Sequence, residues 1–230
     1  MVWLYGIRTE KLPSSQELAQ RLDPCFLDAW KAHHPRMREE QTVKASLGGL
    51  FLLAFSGARG ELAYTDMGRP FLKDSALDFS ITHTGRYVLC AVARPDPTAL
   101  DGACPPCGEA ARVGLDAEDL SRLSEARAEA MAKRWLSEGE QVQFAEDPTP
   151  LHFLRLWTRK EALGKWLGQG LRSISELDTA NAVSAYGVRF CEYPAEGTAI
   201  TLCLRDVQPP PTDVYWLSET DVTAFFVTTC

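Results

Sequence analysis

Between Arg94 and Arg112 the chain changes character, and this limits what it can fold into. Those positions hold four prolines (Pro95, Pro97, Pro105 and Pro106), two glycines and two cysteines. Proline fixes φ and removes a backbone donor, so the stretch cannot continue a helix or a central strand. It reads as a loop or inter-domain linker. A fold therefore has to be built from the two flanks, and each offers a long helix and a few strands. Before the linker, strands are predicted over residues 2–7, 77–81 and 87–93. Residues 82–85 connect the last two as a hairpin. A capped helix starts at Ser14-Ser15-Gln16-Glu17, and a buried apolar helix spans 43–55 and ends at Ser56-Gly57. Met67-Gly68-Arg69-Pro70 is a turn. After the linker come a strand over 113–118, helices over 120–137 and 151–167, and meandering strands over 183–190, 199–204, 213–216 and 222–227. The expected division is 1–103 and 104–230, with the join inside 94–112.

Composition narrows the function classes. Lys and Arg number 24 against 31 Asp and Glu, a formal net charge of −7. Nucleic-acid binding needs a concentrated basic face, so it is not expected. No run approaches the roughly 18 apolar residues of a membrane helix. The first residues lack a secretory pattern, so a cytoplasmic location is expected. The seven cysteines read as intracellular thiols and not as a disulfide framework. Cys104-Pro105-Pro106-Cys107 is the exception: it reads as a plain loop, a redox pair or half a zinc site.

Three segments can carry chemistry. In Val113-Gly114-Leu115-Asp116-Ala117-Glu118, strand alternation puts Asp116 and Glu118 on one face. Paired carboxylates suit a hard cation such as Mg²⁺, though they also occur as a solvated strand end. In the 157–165 segment, Trp157, Glu161 and Lys165 share a helix stripe. Glu161 can add a third carboxylate and Lys165 can hold a phosphate, or the two form an ordinary surface pair. In Phe79-Ser80-Ile81-Thr82-His83-Thr84-Gly85, hydroxyls, an imidazole and backbone donors can grip a phosphate, or the histidine is simply satisfied in a polar turn.

Taken in order, G-R-P at 68–70, S-I-T-H-T-G at 80–85, G-L-D-A-E at 114–118 and W-T-R-K-E-A-L-G-K at 157–165 resemble the 4′-phosphopantetheinyl transferase superfamily. The likeness is to its longer, monomeric, surfactin-synthetase-activating type, which serves peptide and polyketide synthases. Ala132-Lys133-Arg134-Trp135-Leu136-Ser137 and Gly168-Gln169-Gly170-Leu171 resemble further family segments.

The resemblance implies an α+β fold of two similar α/β halves related by a pseudo-twofold. Each half would be a small, mainly antiparallel sheet packed against a long helix. It implies transfer of the phosphopantetheine arm of coenzyme A to a serine of an acyl or peptidyl carrier protein. Adenosine 3′,5′-bisphosphate would leave, and Mg²⁺ would assist. By motif, Asp116, Glu118 and Glu161 would be the metal ligands, Lys165 would hold the pyrophosphate, and Glu161 would be the first candidate base. Thr82 and His83 would grip the 3′-phosphate end, Arg69 the adenosine part, and Lys44 is the best N-terminal cation for the same phosphate. A carrier is expected to dock near 119–144, with Trp135 and Leu136 as apolar candidates and Arg127, Lys133 and Arg134 as local cations. The alternatives are a catalytically silent coenzyme A-binding relative and a C-x-x-C thiol or zinc module.

Overall fold

The computed structural model describes residues 1–95, 112–169 and 171–228. Most of the proline-rich stretch, with Cys104 and Cys107, lies outside the described residues.

The first half contains β1 (Val2–Arg8), α1 (Ser15–Arg21), α2 (Pro24–His33), α3 (Glu40–Phe55), β2 (Leu62–Tyr64), β3 (Pro70–Leu72), β4 (Asp78–His83) and β5 (Tyr87–Ala93). The second contains β6 (Val113–Asp119), α4 (Glu125–Trp135), α5 (Glu138–Glu146), α6 (Pro150–Leu167), α7 (Ala182–Tyr186), β7 (Val188–Ala195) and β8 (Thr198–Arg205). The chain then forms β9 (Tyr215–Trp216) and α8 (Glu219–Thr228). β5 pairs antiparallel with both β1 and β4, and β8 pairs antiparallel with both β6 and β7. The two halves thus repeat one topology: a strand, a long helix, and a hairpin whose second strand pairs with the first strand.

Strand alternation divides the core into layers. Val2, Leu4, Leu89 and Ala91 share one buried cluster with Val113, Leu115, Ile200 and Leu202, so the two sheets face each other. Val88, Cys90 and Val92, on the opposite face of β5, pack with α3. α3 lies close because of its glycine pair. A Cβ on Gly49 would stand 2.3 Å from Ile81 Cγ2, and one on Gly48 would stand 2.6 Å from Leu12 Cδ1. On the far side, α6 packs on the β6–β8 sheet, where Val188 and Cys203 join Ala162, Leu163 and Trp166.

Several expected elements change. Thr82 and His83 belong to β4 and not to a connection, because the ladder to β5 runs on to the His83–Val88 pair. The helix expected over 120–137 is a 3-10 turn (Leu120–Arg122) followed by α4, whose first turn is capped by Ser124. The strand expected from 183 is preceded by the short helix α7, which ends at Gly187 with φ +63°. Residues 222–227 are helical. Ser218 and Asp221 cap α8 reciprocally, with Asp221 N donating to Ser218 Oγ and Ser218 N to Asp221 Oδ2 at 2.8 Å. Val222 and Phe226, one turn apart, then bury against the first half. β9 also pairs parallel with β1, through Tyr5–Tyr215 and Gly6–Trp216. The end of the chain therefore packs on the N-terminal sheet. Among the described residues, no helix is long and apolar enough to cross a membrane.

Candidate active site

The site lies where β4 meets β6. These strands share no backbone ladder; alternate side chains of β4 take its place. Val113 N donates to Asp78 Oδ2 at 2.8 Å, and Leu115 N donates to Ser80 Oγ at 2.9 Å. Thr82 Oγ1 donates to Asp116 Oδ1 at 3.3 Å. Beyond the strand end, Gly85 N donates to Asp119 Oδ2 at 2.9 Å. Buried backbone donors of β6 are thereby satisfied, and β6 is held in register with β4.

With Val113, Leu115 and Ala117 in the inter-sheet core, Gly114, Asp116 and Glu118 face α6. Gly114 allows the approach. A Cβ there would stand 2.0 Å from Ala162 O and 2.6 Å from Trp166 N. The contact brings one turn of α6 onto the acidic pair. Asp116, Glu118 and Glu161 each offer an oxygen, and these oxygens lie within 4.8 Å of one another. Lys165 Nζ donates to Asp116 Oδ1 at 2.8 Å and to Leu115 O at 2.9 Å.

The electrostatics call for a cation. Asp116 is 2% exposed, and its Oδ2 is buried with no hydrogen-bond partner. A charged oxygen in that state is costly to keep. Burial, reinforced by the Asp116 charge, pushes the Glu161 carboxyl up to about 8, and Lys165 only partly offsets it. Clustered carboxylate oxygens with an unpartnered one among them fit a hard divalent ion such as Mg²⁺, which takes oxygen ligands and usually leaves positions for phosphate.

Two cavities flank the cluster. The larger, about 560 Å³, opens between the halves, with Met67, Arg69 and Ile81 on one side and Glu161, Lys165 and Ile174 on the other. The second, about 420 Å³, is lined by Glu39, Thr42, His83, Thr84, Gly85 and Glu118. The carboxylate cluster thus joins two hollows that an elongated ligand could span.

The sequence candidates are distributed unevenly. Asp116, Glu118, Glu161, Lys165 and Thr82 come together at the cluster. His83 lines the second cavity; loss of solvent around the ring, then the Lys165 charge, lowers its pKa. The guanidinium of Arg69 bonds Asp78 and three backbone carbonyls. Lys44 lines neither cavity and lies beside Glu40 on α3. Leu136 is 5% exposed and belongs to the core, so it cannot serve as the expected apolar docking contact. Trp135 is half-buried against Trp157.

Sequence reasoning missed the support under α6. Lys160, next to Glu161, is fully buried and pairs with buried Glu140 at 2.6 Å. Lys160 also donates to Leu177 O, and Glu140 accepts from Thr179 N at 2.9 Å and Thr179 Oγ1 at 2.7 Å. A signal existed: Ser137 and Glu140 have capping-box spacing, and both halves of the box form. Asp78 and Ser80 were also missed, since nothing in a strand pattern says that its polar face will meet another strand.

Residues 112–213 match the family model of the 4′-phosphopantetheinyl transferase superfamily. That span carries Asp116, Glu118, Glu161 and Lys165. No curated protein matches the chain.

Proposed function

Since residues 112–213 are a 4′-phosphopantetheinyl transferase superfamily domain, we propose that the chain moves the phosphopantetheine arm of coenzyme A to a serine of an acyl or peptidyl carrier protein. The single observation that carries the reading is the buried three-carboxylate cluster with Lys165 against it, set between two cavities. A diphosphate is the substrate group that such a mixture of carboxylates and a lysine serves best.

Coenzyme A would lie across the cluster, with its diphosphate at Lys165. Its 3′-phosphate would point toward the second cavity, where His83 and the N–H groups of the first turn of α3 are available. Asp116, Glu118 and Glu161 would hold Mg²⁺, which when bound neutralises charge developing on the diphosphate. Lys165 supplies a point charge to the same oxygens. Thr82 orients Asp116 by its hydroxyl. Glu161 would take the proton of the carrier serine through an oxygen left free once Mg²⁺ has displaced the carboxyl's own proton. The serine oxygen forms its bond to the β-phosphorus, the bridging P–O bond breaks, and adenosine 3′,5′-bisphosphate leaves. The reading includes a monomeric, cytoplasmic enzyme of the type that serves peptide and polyketide synthases.

The test is to incubate the chain with coenzyme A, Mg²⁺ and several apo carrier proteins and to weigh the carriers by mass spectrometry. A gain of one phosphopantetheine on the serine is expected. No gain on any carrier would overturn the reading.

A further inference from the structure

Family likeness makes Arg69 a contact to coenzyme A, but both terminal nitrogens of its guanidinium are already committed. Nη1 donates to Lys165 O at 2.7 Å and Trp166 O at 3.2 Å. Nη2 donates to Asp78 Oδ1 at 2.8 Å, Asp78 Oδ2 at 2.6 Å and Val113 O at 3.1 Å. These two nitrogens carry four of the five guanidinium N–H groups, so apart from Nε–H a phosphate could be gripped there only by breaking existing bonds. The charge is matched as well, because the Arg69 and Asp78 side chains are each 13% exposed and form an ion pair.

We propose that Arg69 acts as a positioning residue: with Asp78 it clasps the end of α6 to β4 and β6, and so fixes Lys165 and Glu161 against Asp116. This rests on the transferase reading above. The clasp touches every element that builds the cluster. Asp78 starts β4 and accepts from Val113 N, the first residue of β6. Lys165 O and Trp166 O are among the last carbonyls of α6, which carry its negative end; Lys165 O also accepts from the capping Gly168 N at 3.2 Å. Lys165 is consequently held at both ends, its carbonyl by Arg69 and its ammonium by Leu115 O and Asp116 Oδ1. A shift of the α6 backbone at Lys165 moves the ammonium away from Asp116, and Glu161 sits one turn earlier on the same helix.

A lysine could replace Arg69 as a point charge for a phosphate but not as a fork joining a carboxylate to carbonyls on two elements. That separates the two roles. R69K, D78N and the double variant are made in the full chain. On the folded fraction of each, Mn²⁺ binding and coenzyme A binding are measured by calorimetry, and transfer by single turnover. R69K and D78N are each expected to weaken Mn²⁺ binding and slow transfer about 10-fold or more, the range seen when a supporting contact of a metal ligand is lost. Coenzyme A affinity should fall with Mn²⁺ affinity in both variants, through the displaced Lys165. The double variant should be little worse than either single one, because both act through one contact.

R69K with wild-type Mn²⁺ affinity would overturn the proposal, even if its melting temperature fell. So would a loss confined to coenzyme A affinity with D78N silent. If the single variants do not fold, R69M/D78L removes both charges together, and near-normal Mn²⁺ affinity in that protein would also overturn it. If the unaltered chain transfers nothing, the functional reading fails, while the Mn²⁺ measurements still decide the clasp.

Discussion

Lys165 Nζ lies 2.8 Å from Asp116 Oδ1, while Oδ2 of the same carboxylate is buried with no partner. One oxygen is thus balanced by Lys165, and the neighbouring Glu161 carboxyl, which also hydrogen-bonds Asp116, holds the proton that a divalent ion would replace. D116N keeps the shape and removes the charge. It should reduce Mn²⁺ affinity and transfer by at least ~100-fold, since loss of a ligand exceeds loss of a supporting contact. The far-UV spectrum should not change. Retained Mn²⁺ binding, read by calorimetry, would remove Asp116 from the metal site.

The raised Glu161 carboxyl gives a pH dependence of defined sign. Its titration near 8 in the folded chain compares with about 4.3 for a free glutamate. Between these values the folded state holds the extra proton, so this group makes stability fall as pH rises, with no further change above about 8. A divalent ion must displace that proton. Mg²⁺ affinity should rise through the neutral range and level off near pH 8. At pH 7, binding should release close to one proton. Calorimetric titrations in two buffers of different ionisation enthalpy measure this directly, and equal heats would contradict the assignment.

Gly114 has no freedom to become alanine. The added Cβ would meet the backbone of α6 at Ala162 O, 2.0 Å away, and neither the strand nor the helix can yield as a side chain would. Overpacking of this kind costs about 1–3 kcal/mol. G114A should therefore unfold at lower denaturant. In its folded fraction it should also transfer more slowly, because the helix carrying Glu161 and Lys165 is pushed from the strand carrying Asp116. Unchanged stability by urea titration would show that α6 does not rest on this residue.

Much of the site was legible because its residues lie in short periodic segments. Alternation placed Asp116 and Glu118 on one face, and the four-residue spacing of Glu161 and Lys165 placed them on one stripe. The repeated topology was legible only through the family resemblance, since β1, α3, β4, β5 and β6, α6, β7, β8 share an order and a pairing scheme but no evident sequence repeat. Val222 to Phe226 misled because a short apolar run suits a strand or a helix equally; the Ser218–Asp221 cap decides it. Arg69 was placed by motif as a cofactor contact. Its commitment to Asp78, Val113, Lys165 and Trp166 depends on long-range packing that no local spacing carries.

Lys160 and Glu140 form the other support of α6, on charges buried completely. Removing one member leaves the other charged and unpaired, which costs about 3–5 kcal/mol. K160M should accordingly destabilise the chain by about that much in urea titration, with Glu140 left facing Leu177 O across an apolar side chain. E140Q keeps an acceptor for Thr179 N but strips buried Lys160 of its counter-charge, so its cost should fall in the same range. Replacing both, as K160M/E140L, should recover only part of the loss. The ion pair is gone without an unpaired charge, but Thr179 N and Oγ1 lose the acceptor that Glu140 Oε1 provides. A K160M variant within about 1 kcal/mol of the unaltered protein would show that the buried pair contributes no more than a surface one.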